Sequence, residues 1–496
     1  MHNTVKQAYA KAGHAGMTGW DMLLLAVITL ASLAYYLDSS SFLFSDVPSF
    51  DQEMFEIIGR EWSRGSLPYR DVWDSKGPII FFCNMLGYRL GGHACIFWLE
   101  FANITAFLWC TMLYCLRRLR KPQAYMATLS VLAAFITASS CGNTVSEYTL
   151  LPALLSIILF YEWADRWQAT GKADHDGRYA VVYGAFLASC LLSRLSNAMC
   201  LCVSIAVVGC VLAYHRRWKN ILLNTAAFAI GFAIVFLPFA AYFMYHGIFG
   251  EMWYAMLSYN IEYASTSMAT HDDGGIKAQL YQFIYFLPLW ALLLLSAIIA
   301  LRHRERRKVA VAHATIAMLS LLWLYNSYAS ANYIISAVPY IIVVAAELSL
   351  MAARSPKARY IAGALLLILL AGFANYTRIY TNWIAKRDNY WQPLTQGIGN
   401  WRQSFVAYNC KPYIYLQEDI RPAYRFFVCQ DWAIHNGPSL RDKVRDTFER
   451  GDARWVLVAE YDSCNIRDIL DRRYLPYRQY RHKDGNTYIL FHIKQR

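Results

Sequence analysis

The carboxylates Asp51, Asp71 and Asp74 and the ammonium of Lys76 crowd into one stretch, just after the first long apolar run of this 496-residue chain. A carboxylate can accept the proton of a hydroxyl as that hydroxyl attacks, and general-base help of this kind contributes typically about 10²–10⁴-fold. A fixed cation can hold an anion, or the charge that grows on a departing one. In GSLPYRDVWDSKGP (65–78) a glycine, two prolines and aromatic residues fix a turn, and Lys76-Gly77-Pro78 then opens an apolar segment with proline at its first helical position. A lysine at a helix start has the wrong sign for the helix dipole, and helix N-termini offer free amides to phosphate, so these residue types point to an anion placed there. The competing reading is a surface pair of Lys76 with Asp74 or Asp71, worth at most about 1 kcal/mol. Asp51 also has two readings: a first-turn carboxylate stabilised by the dipole by about 0.3–1 kcal/mol, or a base held for catalysis.

The elements that must position these groups are those of a membrane protein. The chain is 57% hydrophobic and 16% charged, and its apolar residues are gathered in blocks. Blocks at 20–37, 95–116, 123–140, 147–163, 179–193, 197–214, 221–245, 280–301, 309–326, 332–352 and 359–376 approach or reach the length a helix needs to cross about 30 Å of hydrocarbon. The segment 79–91 is also apolar, and charge decides its fate. If it does not cross, the basic loops RRLRK (117–121), HRRWK (215–219), RHRERRK (302–308) and ARSPKAR (353–359) share a side with Lys6 and Lys11. The positive-inside rule makes that side the cytoplasm. The expectation is therefore about eleven spans in the cytoplasmic membrane, with an interfacial helix at 79–91, the N-terminus inside, and the first outer loop (38–94) and the tail from 377 outside. No cleavable leader is read before the first span.

Within the outer loop, PSFDQEMFEIIGREW sets Met54, Phe55, Ile58 and Trp62 as an apolar stripe opposite Gln52, Glu53, Glu56, Arg60 and Glu61. That spacing predicts an amphipathic helix on the outer membrane surface, started by a Ser49–Gln52 capping pair, with Asp51 in its first turn. The outer loop 246–279 carries Trp253, Tyr254, Tyr259 and Tyr263, which suit either stacking on sugar or prenyl groups or an interfacial aromatic belt. Gly274-Gly275 could hinge a lid there. His271-Asp272-Asp273 is a weak divalent-ion signal, and no spacing of metal ligands stands out elsewhere. The net charge of +13 is explained by orientation signals and contact with membrane lipids rather than by nucleic acid. In the tail, PYIYLQ, RFFVCQ, RWVLVAEY and NTYILFHI read as strands, and LRDKVRDTFER and CNIRDILDRRY as helices, giving a small α/β domain over 377–496. A disulfide between two of Cys410, Cys429 and Cys464 is open.

The run Asp51-x3-Phe55-x3-Gly59 followed by GSLPYRDVWDSKGP resembles the first outer loop of bacterial GT-C glycosyltransferases of the protein-mannosyltransferase and aminoarabinose-transferase type. The resemblance implies a polytopic α-helical catalytic domain over 1–376. It also implies a polyprenyl-phosphate-linked sugar as donor, inverting transfer to a glycan, lipid or protein acceptor hydroxyl, and no cofactor, with divalent-metal dependence left open. It makes Asp51 the general base and Lys76 a phosphate ligand beside a Lys-Pro-like motif into which Gly77 is inserted. Arg194, between two spans at their outer ends, would cost about 2.5–3.5 kcal/mol inside a membrane helix, so it either meets an anion or reaches to head groups; the first makes it a second phosphate ligand. Glu147 resembles the second acidic position of the aminoarabinose-transferase pattern, and Tyr69, Asp71, Asp74 and Glu147 are expected to orient substrate. A transporter or flippase of lipid-linked sugars is the rival. Transporters carry repeated halves and midplane charges, whereas here the polar residues gather at one face.

Overall fold

The computed structural model describes residues 16–36, 41, 50–138, 142–270, 389–428, 430–482 and 485–494, with isolated helical positions between 308 and 346. The chain divides into two compact units. One comprises Met1–Leu43, Phe97–Phe239 and Gly274–Trp383, the other Phe44–Ile96, Ala240–Asp273 and Ile384–Arg496.

The first unit is helical. Its elements are α1 (Gly19–Tyr36), most of α4 (His93–Leu116), α5 (Lys121–Ala138), α6 (Leu150–Thr170), α7 (Gly177–Leu191), α8 (Met199–Tyr214) and the greater part of α9 (Trp218–Tyr245). These coincide with the first seven expected spans. Three stretches among the described residues, His93–Leu116, Leu195–Tyr214 and Trp218–Tyr245, are long and apolar enough to cross a membrane. The expected spans 280–301, 309–326, 332–352 and 359–376 lie outside the described residues except for those isolated positions.

The core of this unit gathers Leu25, Phe107, Phe135, Leu154, Trp163 and Leu201. In contrast, α9 exposes Leu222, Leu223, Ile230, Ile234 and Leu237, an apolar stripe suited to lipid. α7 and α9 meet backbone to backbone. A Cβ on Gly184 would lie 1.9 Å from the Phe228 carbonyl oxygen, and one on Gly231 1.9 Å from that of Val181, so only glycine permits the crossing. The basic loop 117–121 is tied down by Lys121–Asp21 (2.8 Å), Arg117–Glu162 (3.0 Å) and Arg118–Asp165 (3.2 Å).

The second unit is built around α2 (Phe50–Ser63) and α3 (Pro78–Leu90). With 13 residues α3 is about 20 Å long, too short to cross, as expected of an interfacial segment. It packs on α2 at Gly59, where a Cβ would come 2.3 Å from Cβ of Asn84. The expectation for α2 needs correction on one point. Its polar face is not left to solvent at a membrane surface: Gln52, Glu53, Glu56, Arg60 and Glu61 are all buried. Glu56 accepts from Tyr88 Oη (2.6 Å) and contacts His93 Nδ1 (2.9 Å). Arg60 donates to the carbonyls of Tyr415 (2.9 Å) and Ile420 (2.6 Å), and Glu61 meets Arg421 at 3.1 Å. Arg60 and Glu61 are thus taken up by the tail, and Glu56 by Tyr88 and His93. The Ser49 cap lies outside the described residues.

Within the expected outer loop 246–279, residues 249–270 are helical: α10 (Phe249–Trp253), a π-helical turn (Tyr254–Ser258) and α11 (Tyr259–Thr270). The tail adds α12 (Gln392–Thr395), β1 (Phe405–Tyr408), α13 (Tyr413–Gln417), α14 (Gln430–Asn436), α15 (Arg441–Arg450), β2 (Trp455–Ala459), α16 (Arg467–Arg473), β3 (Tyr474–Arg481) and β4 (Thr487–Ile493). The sheet order is β1-β2-β4-β3, with β1 and β2 parallel and the other pairs antiparallel. The strands at 455–459 and 487–493 and the helices at 441–450 and 467–473 match expectation. PYIYLQ does not: it forms the helix α13, with Pro412 at its start. RFFVCQ forms no named strand over its described residues. Cys410 is free and buried, its thiol within hydrogen-bond reach of the carbonyls of Tyr408 (3.3 Å) and Leu457 (3.4 Å). Cys464 is likewise free, while Cys429 lies outside the described residues.

Candidate functional site

Local sequence braces the loop between α2 and α3. Leu67 N–H donates to the Asp71 carboxylate (2.7 Å) and Asp71 N–H to the Leu67 carbonyl (2.9 Å), closing a tight turn across Pro68 and Tyr69. Tyr69 takes φ +70°, an uncommon backbone state for a bulky residue, and its N–H bonds Val72 O at 2.7 Å. Its side chain is fully buried, and its hydroxyl donates to the Lys76 carbonyl at 2.8 Å. Burial holds that phenol well above its ordinary pKa, so it stays a donor. Tyr69 therefore acts as a strut that sets where Lys76 stands. Asn260 of α11 adds a second strut, donating to the Ser75 carbonyl at 2.8 Å.

Asp74 accepts the backbone N–H of Lys76 at 2.9 Å, an Asx turn that delivers the chain into α3. Gly77 is the extended residue before the helix, it offers no side-chain cap, and Pro78 follows at the first position. The Lys76 side chain is half-buried, and its ammonium touches only Ser75 Oγ at 3.4 Å. Among the described residues it makes no ion pair. The surface pairs with Asp74 or Asp71 are not formed: Asp71 is taken by Arg70 at 2.9 Å, and Asp74 by the Lys76 backbone. A cation thus stands at an uncapped helix start without a carboxylate.

The three carboxylates differ in setting. Asp51 is exposed in the first turn of α2. Burial pushes the Asp74 carboxyl above the ordinary carboxylate range, and the charge of Asp51 adds to this while that of Lys76 opposes it. Asp74 is therefore near enough to feel both Asp51 and Lys76. Burial works to raise Asp71 too, but the Arg70 guanidinium and the Leu67 amide outweigh it and hold Asp71 low. Of the aromatic candidates, Tyr259 is fully buried and meets Trp73 edge-on at 5.0 Å. Tyr263 packs on Trp432 at 5.6 Å, and Trp253 stacks on Phe249 at 6.1 Å. Gly274-Gly275 and His271-Asp272-Asp273 lie outside the described residues.

Glu147 and Arg194 belong to the helical unit. Glu147 is buried at the head of α6, where its carbonyl accepts from Asn103 Nδ2 at 2.9 Å. Arg194 is half-buried and extended at the start of the turn that leads into α8. Their two turns are stitched together, with Asn197 Oδ1 accepting from Ser146 at 3.3 Å and its Nδ2 donating to Thr149 at 3.3 Å. Glu100, buried in α4, accepts the N–H of Asn143. Sequence reading missed Glu100, Asn103 and Asn197, each of which looks like one polar residue in an apolar run; a polar residue inside an expected span was the available signal.

The profile described as "Putative competence-induced protein Ccs4 N-terminal domain" matches residues 21–359. The chain belongs to that family. No curated protein matches the sequence. Among solved structures, this Ccs4-family chain is similar to ArnT from Cupriavidus metallidurans bound to undecaprenyl phosphate, with TM-score 0.57 and 14% identity over 96% of this chain and 98% of that one. The apo form of the same protein gives TM-score 0.56 at 13% identity, covering 95% and 98%. Archaeal oligosaccharyltransferase AglB from Archaeoglobus fulgidus, in complex with an inhibitory peptide and a dolichol-phosphate, gives 0.51 at 13% over 95% and 74%. At these identities the likeness is one of fold, and the fold is the GT-C fold expected from the first outer loop.

Proposed function

We propose that the chain is a membrane glycosyltransferase that moves a sugar from a polyprenyl-phosphate carrier to an acceptor hydroxyl on the outer face of the cytoplasmic membrane. The observation that carries this reading is Lys76, a cation without a carboxylate at an uncapped helix start. It stands in a loop braced by Tyr69 and Asn260, on a fold shared with a protein solved bound to undecaprenyl phosphate. Lys76 would meet the carrier phosphate, whose charge grows as the glycosidic bond breaks; a preset cation stabilises that charge without reorganising. Arg194, in the helical unit, is a further candidate for binding an anionic group.

Asp51 is the general base in this reading. It takes the acceptor proton as the oxygen attacks the anomeric carbon, and the sugar–phosphate bond breaks on the opposite side, so the configuration inverts and no covalent enzyme intermediate forms. Asp74 sets the Lys76 backbone, Tyr69 supports it, and Asp71 closes the turn; Glu147 orients groups from the helical unit. Trp253 and Tyr263 offer surfaces for sugar or prenyl groups, whereas Tyr259 is fully buried against Trp73. The test is transfer of labelled sugar from a panel of polyprenyl-phosphate donors by the purified protein in lipid nanodiscs. Turnover with at least one donor supports the proposal. Carrier-mediated movement of a donor across a sealed bilayer with no transfer would replace it with transport.

A further inference from the structure

Trp73 and Arg425 hold hydrogen-bond donors that nothing among the described residues uses. Trp73 is 5% exposed and its indole N–H is buried without an acceptor. The half-buried guanidinium of Arg425 likewise has a buried Nε–H without an acceptor, and among the described residues its head makes no hydrogen bond or ion pair. Its guanidinium carbon lies 4.6 Å from the ring centre of Phe426. The two residues are fixed side by side: the backbone N–H of Trp73 donates to the Arg425 carbonyl at 2.9 Å, and the Trp73 ring meets Phe426 at 5.2 Å. Tyr259 backs Trp73 from the other side. Leaving a buried donor unmet costs about 1–3 kcal/mol, more for a charged group. Folded proteins rarely keep two such groups together without a partner to receive.

We propose that Arg425 and Trp73 form a binding site for an oxyanionic group, phosphate or carboxylate, of the acceptor substrate. Arginine presents a planar fork that matches two oxygens of such a group, and the indole N–H supplies a third, neutral donor. The other charges near Arg425 are the carboxylate of Glu251 and, through Tyr254, the ammonium of Lys443 above that ring at 5.9 Å. Glu251 acts on Arg425 without forming an ion pair, so the fork stays open. Burial also lowers the pKa of the guanidinium, as expected for a cation desolvated ahead of its counter-charge. The site belongs to the tail but is bonded to the loop that carries Lys76, which gives the tail a role in selecting acceptors. This assignment to an acceptor rests on the transferase reading.

The test separates the two anion sites by binding, without turnover. Purified full-length protein in nanodiscs is titrated with inorganic phosphate and, separately, with a short-chain polyprenyl phosphate, using thermal stabilisation as the readout. Arg425→Gln is expected to weaken phosphate binding by about tenfold or more, the loss of charge-assisted bonds, and to leave the polyprenyl phosphate response intact. Lys76→Ala is expected to do the opposite. Trp73→Phe keeps an aromatic ring without the N–H and should weaken phosphate binding alone. Arg425→Lys, which retains charge without the fork, serves as a folding control with intermediate binding. Equal phosphate affinity in wild type and Arg425→Gln overturns the proposal, as does loss of phosphate binding in Lys76→Ala alone. If the polyprenyl phosphate stabilises nothing while phosphate still depends on Arg425, the anion site stands and the donor reading fails.

Discussion

Replacing Arg60 by alanine should loosen the tail far more than removing the charge of its partner Asp419. The guanidinium is 3% exposed, and it donates to two buried carbonyls, Tyr415 O and Ile420 O, while contacting Glu61 at 3.0 Å. Without it each carbonyl loses a charged donor, at about 1–3 kcal/mol apiece. Glu61, 1% exposed, keeps Arg64 and Arg421 and so is not stranded. The sum is about 2–6 kcal/mol, which brackets the roughly 3–5 kcal/mol seen when one partner of a buried ionic pair is removed. Asp419 is 69% exposed, so its ion pair with Arg60 at 3.2 Å is worth under about 1 kcal/mol. Asp419→Asn is the proper comparison, because residue 419 has φ +47° and asparagine tolerates that region. Pulse proteolysis across a urea series in detergent, reading cleavage within 405–430, should show Arg60→Ala opening at clearly lower urea than Asp419→Asn. If both variants open together near wild type, the buried network does not hold the tail and the reasoning is refuted.

Gly184→Ala should cost about 1–3 kcal/mol or more, because its Cβ would overlap the Phe228 carbonyl; folded yield by size exclusion checks this, and a wild-type yield would mean that α7 and α9 do not meet there. Asp74→Asn should raise thermal stability at about pH 7 and leave it unchanged at about pH 3.5. The raised carboxyl means that ionised Asp74 is penalised in the folded protein, a penalty absent below the ordinary value of 3.8 and growing as pH rises through the folded pKa. Asparagine keeps an oxygen for the Lys76 N–H, so a fall in stability at pH 7 would contradict this account. Asn260→Leu should lower donor affinity with little change in melting temperature if its bond to Ser75 mainly positions Lys76; unchanged affinity would remove it from the site.

What sequence reveals here follows from how far apart the interacting residues are. Helices α1 and α4 to α9 were legible because each is a long apolar block, and the turn at 65–78 because glycine and proline punctuate it. The fate of the α2 charges was not, since Arg60 finds Tyr415 and Ile420 some 355 and 360 positions away. A helix with one polar face reads the same whether water or another segment covers it. Short apolar runs were equally ambiguous: PYIYLQ has strand composition, yet Pro412 starts a helical turn and three consecutive residues, Tyr413 to Tyr415, are buried. β3 escaped notice because Pro476 and its charged, mostly exposed residues argue against a strand, though an edge with a bulge at 476/478 accepts them. Asp51 and Lys76 were readable as chemistry from their types, whereas Arg425 and Trp73 became visible only once their unused donors could be seen.

The most direct test of the central claim is single-turnover transfer from a labelled polyprenyl-phosphate sugar at saturating donor and acceptor, comparing wild type with Asp51→Asn. The account predicts a rate at least about 10²-fold lower with donor binding unchanged, the signature of a lost general base. Transfer at the wild-type rate by Asp51→Asn would contradict it.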